Sequence, residues 1–218
     1  LRLVIFDCDG VLIDSEPVSQ KLVQDEAASL GWAMTDADIY GLTGQTWSAL
    51  KPVFEAKIGH ALPANWPKML QDRLIEVMRA GVSAIPGARA TLEATASLGL
   101  PYRIASNSSH EEMDQKFGFT RLRKLVEGRT HSARDVPRGK PDPDVFLAAA
   151  AAEGVAPDEC LVVEDSLPGV TAARAAGMRV IAYAPHGWPT DLPIQPDMSV
   201  TSLADLPALF RASMRIAA

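Results

Sequence analysis

Two pairs of acids, Asp7-Cys8-Asp9 and Glu164-Asp165, each follow directly on a short apolar run, Leu3 to Phe6 and Leu161 to Val163. A third apolar run, Tyr102 to Ala105, ends in Ser106-Asn107-Ser108-Ser109, and Lys140 stands in Gly139-Lys140-Pro141-Asp142-Pro143 ahead of an Ala-rich stretch. Carboxylates gathered without neighbouring arginines repel one another. Together they call for a hard divalent cation with oxygen ligands, of which Mg2+ is the first choice. A lysine, hydroxyl groups and the free N–H groups of helix N-termini are then natural partners for a phosphoryl group.

The elements that must position these groups read as an α/β chain, because short β-rich runs alternate with helical stretches through the C-terminal two thirds. Leu3 to Phe6 is continuously apolar, as a strand covered on both faces of a parallel sheet should be. Further strands are expected over Tyr102 to Ala105, Leu161 to Val163, Arg179 to Tyr183 and, more weakly, around Leu125 to Arg129. Helices fill the gaps. One runs from Gly87 to Leu98 and stops at Gly99; another opens at an Asp142 cap with Pro143 in its first turn and closes at Gly154. Ser166 caps a third, Ser106 and Asn107 cap the one containing Met113 and Phe117, and Leu206, Leu209 and Phe210 mark a last packed helix. In an open sheet of this kind ligands bind beyond the carboxyl ends of the strands, which is where the polar clusters fall.

Between Ser15 and Ser83 the rhythm changes to helices alone, with Leu22, Val23, Ala27 and Leu30 on one face and Leu70, Leu74, Val77 and Met78 on another. The expected organisation is a Rossmann-like, doubly wound parallel sheet over residues 1–14 and 84–218, with an inserted helical cap over residues 15–83. Asp14 to Pro17 and Ser83 to Gly87 are the expected hinges.

Composition narrows the partners. The chain has 218 residues, 21 Lys plus Arg against 27 Asp plus Glu, and a formal net charge of −6, with its basic residues scattered, which argues against a nucleic acid as partner. The longest run free of charged residues, Ile39 to Leu50, is too short to span a bilayer, so no membrane partner is expected. Cys8 and Cys160 have no partner at metal-ligand spacing and no targeting segment precedes the first strand, which together read as a reduced, cytoplasmic protein. A monomer is compatible with all of this.

In their order and placement the clusters resemble the four motifs of the haloacid dehalogenase superfamily: Asp7 to Leu12, Ser106-Asn107, Lys140 in its Gly-Lys-Pro setting, and Glu164-Asp165-Ser166. The Asp14-Ser15-Glu16 flank and the insertion look like the subgroup of β-phosphoglucomutase and small sugar-phosphate phosphatases. The resemblance implies Asp7 as nucleophile, Asp9 as acid/base, Mg2+ on Asp7, the Asp9 carbonyl and Asp165 with Glu164 as ligand or outer partner, and Ser106, Asn107 and Lys140 on the phosphoryl group. It favours Lys140 over Arg138, and it makes Gln45 and Thr46, in the glycine-bearing segment Gly41 to Trp47, the contacts to a small phosphorylated metabolite. A hinged cap would exclude water during transfer and then admit it.

Mutases of the subgroup carry a histidine after the first hinge and an arginine in the cap loop. Pro17 to Lys21 has no histidine and Gly41 to Leu50 no arginine, so a phosphatase is the leading expectation and a phosphosugar mutase the alternative. A phosphoaspartate signalling module is a further alternative. It is disfavoured because its lysine follows the last strand of the set and it needs no lid, whereas here an acidic pair comes after Lys140.

Overall fold

The computed structural model describes residues 1–35, 38–39, 42 and 47–215. The chain divides into two compact units, Leu1–Asp14 together with Ala84–Ala218, and Ser15–Ser83.

The first unit is built on strands β1 (Leu3–Phe6), β4 (Tyr102–Ser106), β5 (Thr130–Ser132), β6 (Cys160–Glu164), β7 (Arg179–Tyr183) and β8 (Met198–Val200). They form a six-stranded sheet in the order β5-β4-β1-β6-β7-β8, every neighbouring pair parallel. The chain starts in the middle and extends first to one side and then to the other, the doubly wound pattern expected from the sequence. All four residues of β1 are buried. Alternation along the strand explains why: Leu3 and Ile5 join a cluster with Val145, Phe146 and Val170, while Phe6 meets the rings of Tyr102 and Phe210 edge-on. Two residues of β2 (Ile13–Asp14) and two of β3 (Ser83–Ala84) form a separate small sheet.

Helices α4 (Ala88–Ser97), α5 (His110–Phe119), α6 (Arg123–Val126), α7 (Asp144–Glu153) and α8 (Leu167–Ala175) lie between these strands in sequence, and α9 (Leu206–Arg215) follows the last of them. Three local expectations are corrected. The region near Leu125 to Arg129 is not a strand: the short helix α6 occupies most of it and β5 begins at Thr130. Asp142 does not cap α7, whose N-cap is Pro143; the carboxylate instead pairs with Arg138 at 2.8 Å. Ser106 and Asn107 do not cap α5 either, because Ser109 does so in a capping box with Glu112. Ser106 is the last residue of β4 and buried, so it lies too early in the chain to reach the helix start.

The second unit contains α1 (Glu16–Ser29), α2 (Trp47–Ile58) and α3 (Trp66–Gly81). Val23, Ala27, Trp32, Leu50, Phe54, Leu62, Trp66 and Leu70 form its own core. Buried Glu26 joins α1 to α3 by accepting from the Trp66 indole N–H at 2.8 Å and from Arg73. Val77, expected on the apolar face, is exposed, while its neighbour Met78 is buried.

Candidate active site

Parallel registration brings the strand ends together. Phe6 is paired with Ile104 on one side and with Val163 on the other, so Asp7 emerges level with the ends of β4 and β6, its N–H donating to the Val163 carbonyl at 2.9 Å. Burial there would isolate a charge unless something answered it. The answer is Lys140, whose Nζ donates to Asp7 Oδ1, to Glu164 Oε1 at 2.8 Å and to the Ala105 carbonyl at 2.9 Å. Arg138, its competitor in the sequence, is exposed and engaged with Asp142 and Asp144.

Asn107 holds the backbone on either side of Lys140. Its side chain clamps the loop that presents the lysine, accepting from the Lys140 N–H at 2.9 Å and donating to the Lys140 carbonyl at 3.3 Å. Ser106 is buried and its Oγ accepts from the Ser108 N–H at 3.0 Å, which ties the start of the loop after β4.

Glu164, only 1 % exposed, is fully engaged. Beyond Lys140, its Oε2 accepts from the N–H groups of Asp165 and Ser166, both at 2.8 Å, and from the Ser166 hydroxyl at 2.9 Å. Ser166 in turn caps α8, as the sequence predicts, by accepting from the Gly169 N–H at 3.1 Å. Glu164 therefore orders the turn carrying Asp165 as well as contributing charge.

Asp7, Glu164 and Asp165 each offer a carboxylate oxygen within 4.8 Å of the others. Three acids beside one ammonium group leave excess negative charge in a poorly solvated place. Burial, with help from Glu164 and Asp9 and against Lys140, pushes the Asp7 carboxyl up to about 7. Asp165 is driven well above the carboxylate range by burial and by Glu164 and Asp7. Burial alone would depress Lys140, but Asp7 and Glu164 outweigh it and hold the ammonium charged. An all-oxygen donor set whose charge is under-compensated suits a hard divalent cation. Gly10, with φ at +82°, lets Asp165 into this space, since a Cβ there would overlap its carboxylate.

Asp9 stands apart from this trio. Both its carboxylate oxygens accept from Lys116 Nζ, at 2.7 and 2.8 Å, and Oδ2 also accepts from Ser108 Oγ at 3.0 Å. Sequence reasoning missed Lys116. The available signal was a lysine on the apolar face of a helix, three residues after Met113 and next to Phe117, both buried. Cys8, between the two aspartates, is wholly buried and its thiol is pushed up by that burial, as suits a packing residue rather than a nucleophile. Gln45 and Thr46, the expected substrate contacts, lie outside the described residues.

Comparison with known proteins agrees with the motif pattern. The profile of haloacid dehalogenase-like hydrolases matches residues 1–177, and the chain belongs to that family. It is 31% identical to hexitol phosphatase B of Escherichia coli K12, over 94% of this chain and 93% of that one. Against the bifunctional riboflavin kinase/FMN phosphatase of Arabidopsis thaliana it is 29% identical, covering 93% of this chain but 54% of that protein, about half the relative's length. Among solved structures, a haloacid dehalogenase-like protein of unknown function from Agrobacterium tumefaciens superposes with a TM-score of 0.82 at 32% identity, covering 98% and 99% of the two chains.

Proposed function

We propose that this hydrolase is a phosphatase that cleaves a small sugar, sugar-acid or sugar-alcohol phosphate through an aspartyl-phosphate intermediate. The observation that carries the reading is the separation of the two aspartates. Asp7 sits buried against Lys140 among the acids, while Asp9, two residues on, is held by Lys116 and Ser108 in a place of its own. Two carboxylates in different environments can take different roles.

Asp7 attacks phosphorus in line, and its carboxylate replaces the alkoxide of the substrate. Asp9 gives its proton to that leaving oxygen, then takes one from the water that hydrolyses the phosphoryl-aspartate, so the carboxyl is restored with each turnover. Lys140, donating to Asp7, offsets charge on the nucleophile and on the transferring group. Ser106 and the Asn107 N–H bind phosphoryl oxygens. Asp7, Asp165 and the Asp9 carbonyl are the groups to hold Mg2+, with Glu164 ordering Asp165 from the other side. When bound, the ion supplies the neutralising charge that lets an anionic carboxylate meet an anionic phosphate.

The substrate class rests on hexitol phosphatase B, a relative similar over nearly its whole length. The helical unit of residues 15–83 is taken as the cap, with Gln45 and Thr46 reading the leaving group. Free, buried Cys8 and Cys160 fit a reducing compartment, the cytoplasm.

The test is phosphorus NMR of the protein with Mg2+ and a panel of hexitol, hexose and sugar-acid phosphates, run beside Asp7→Asn. Inorganic phosphate should accumulate with the native chain and not with the variant. A new phosphomonoester without free phosphate would establish a mutase instead, and no change in any substrate would remove the phosphatase reading for this class.

A further inference from the structure

We propose that Lys116 is a positioning residue for Asp9, holding the acid/base carboxylate in the orientation needed for proton transfer to the leaving group. The inference rests on the phosphatase reading above and goes beyond it, because Lys116 belongs to none of the four motifs.

Lys116, Asp9 and Ser108 bond to one another in a closed triangle. Lys116 Nζ donates to both Asp9 oxygens at 2.7 and 2.8 Å and to Ser108 Oγ at 2.9 Å, and Ser108 Oγ donates to Asp9 Oδ2 at 3.0 Å. A carboxylate that accepts from one ammonium through both oxygens has its direction fixed, and the serine, donating to Oδ2 alone, opposes rotation of its plane about that direction. The holders are themselves anchored. Lys116 is 5 % exposed on α5, a helix whose start is locked by the capping box of Ser109 and Glu112. The Ser108 carbonyl accepts from the Ser132 hydroxyl at 2.7 Å, which ties the same loop to β5. A group mounted on a helix, with its contacts pinned from a second element, holds a partner more closely than a loop side chain can.

Burying a lysine between Met113 and Phe117 is costly unless its charge is answered, and here a carboxylate with proton chemistry answers it. Lys116 touches neither Asp7 nor Asp165 in any bond the structure shows, so its effect must reach the reaction through Asp9. Asp9 acts twice: its proton goes to the departing oxygen as the substrate P–O bond breaks, and it later accepts a proton from the water that attacks phosphorylated Asp7. Misplacement of Asp9 therefore slows the first step only where the leaving oxygen needs that proton, and slows the second step always.

The deciding experiment compares a hexitol phosphate, whose alkoxide leaves poorly, with p-nitrophenyl phosphate, whose phenolate leaves without assistance, in the native chain and in Lys116→Met. The ratio kcat/KM reports phosphoryl transfer to Asp7. On the alkyl substrate it should fall on the order of 100-fold, and on the aryl substrate at least tenfold less than that. With the aryl substrate Lys116→Met should also release a burst of nitrophenol before a slower steady rate. Ser108→Ala removes one corner of the triangle but leaves the Lys116–Asp9 pair, and should give the same pattern at smaller amplitude. It also decides the matter if the methionine variant does not fold. Equal losses on the two substrates, or no loss on either, would overturn the positioning role while leaving the phosphatase reading intact. A native chain inactive on both substrates would instead remove that reading, and this inference with it.

Discussion

Glu164 shows how far a single residue's chemistry is fixed by its partners. One oxygen accepts from Lys140 at 2.8 Å and the other from three donors in the turn after β6. Glutamine has the same shape but only one acceptor oxygen. Whichever way its amide is turned, an NH2 group meets either the Lys140 ammonium or the N–H groups of Asp165 and Ser166, donor against donor. Glu164→Gln should therefore lower unfolding free energy by about 3 kcal/mol, as expected for breaking a buried ion pair, and urea denaturation measures it. A change below about 0.5 kcal/mol would show that water answers these donors instead. The acids and Lys140 were legible in the sequence because each follows an apolar run or precedes a helix. Lys116 was not, because nothing local says that a lysine in mid-helix turns inward. Its partner Asp9 lies 107 positions earlier, and only the pairing of β1 with β4 brings the two together.

At the scale of elements, the turn after β6 depends on the absence of a side chain at Gly169, in the first turn of α8. A Cβ there would overlap the Glu164 carboxylate. Gly169→Ala gains helix propensity, worth about 1 kcal/mol on an open surface. Here the added methyl must displace the group that orders Asp165, so the expected net effect is a loss of stability together with weaker Mg2+ binding, the latter read by isothermal titration. A variant more stable than the native chain, with unchanged Mg2+ affinity, would refute this. In the helical unit, Phe54 lies 5.0 Å from the Trp32 ring and 4.8 Å from the Trp66 ring, centroid to centroid. Phe54→Ala should cost about 3 to 5 kcal/mol and change tryptophan emission, since the cavity lies between two indoles. The central strands were readable because both faces of the sheet are covered, leaving continuous apolar runs with abrupt ends. Edge strand β5 has three residues, two of them only partly buried, and its sequence carries no comparable run. Helix starts were misplaced by one to three residues because several polar residues in a row can cap, and only the exit direction of each strand selects among them.

For the molecule as a whole, the excess negative charge of the site links folding, pH and metal. Burial, aided by Glu164 and Asp9, raises the Asp7 carboxyl to about 7 from an ordinary 3.8, and Asp165 moves in the same direction. A carboxyl raised in the folded state keeps a proton that the unfolded chain has already released. Between about pH 4 and about pH 7 the folded protein thus binds more protons than the unfolded one, and the contribution of these groups to stability is lost as pH rises through that window. A cation requires the ionised carboxylates, so its stabilisation must grow over the same window. In thermal melts without divalent metal, Tm should decline from about pH 5 to about pH 7.5, and the increase produced by millimolar Mg2+ should widen along the series. The formal charge of −6 also favours unfolding as pH rises, through general repulsion that salt screens. The two causes separate cleanly: raising NaCl weakens the general term, whereas Asp165→Asn removes a proposed ligand and one of the raised carboxyls while changing net charge by a single unit. That variant should lose most of the Mg2+ effect and flatten the metal-free decline. A Tm increase with Mg2+ that is equal at every pH, or one that survives in Asp165→Asn, would detach the ion from these carboxylates.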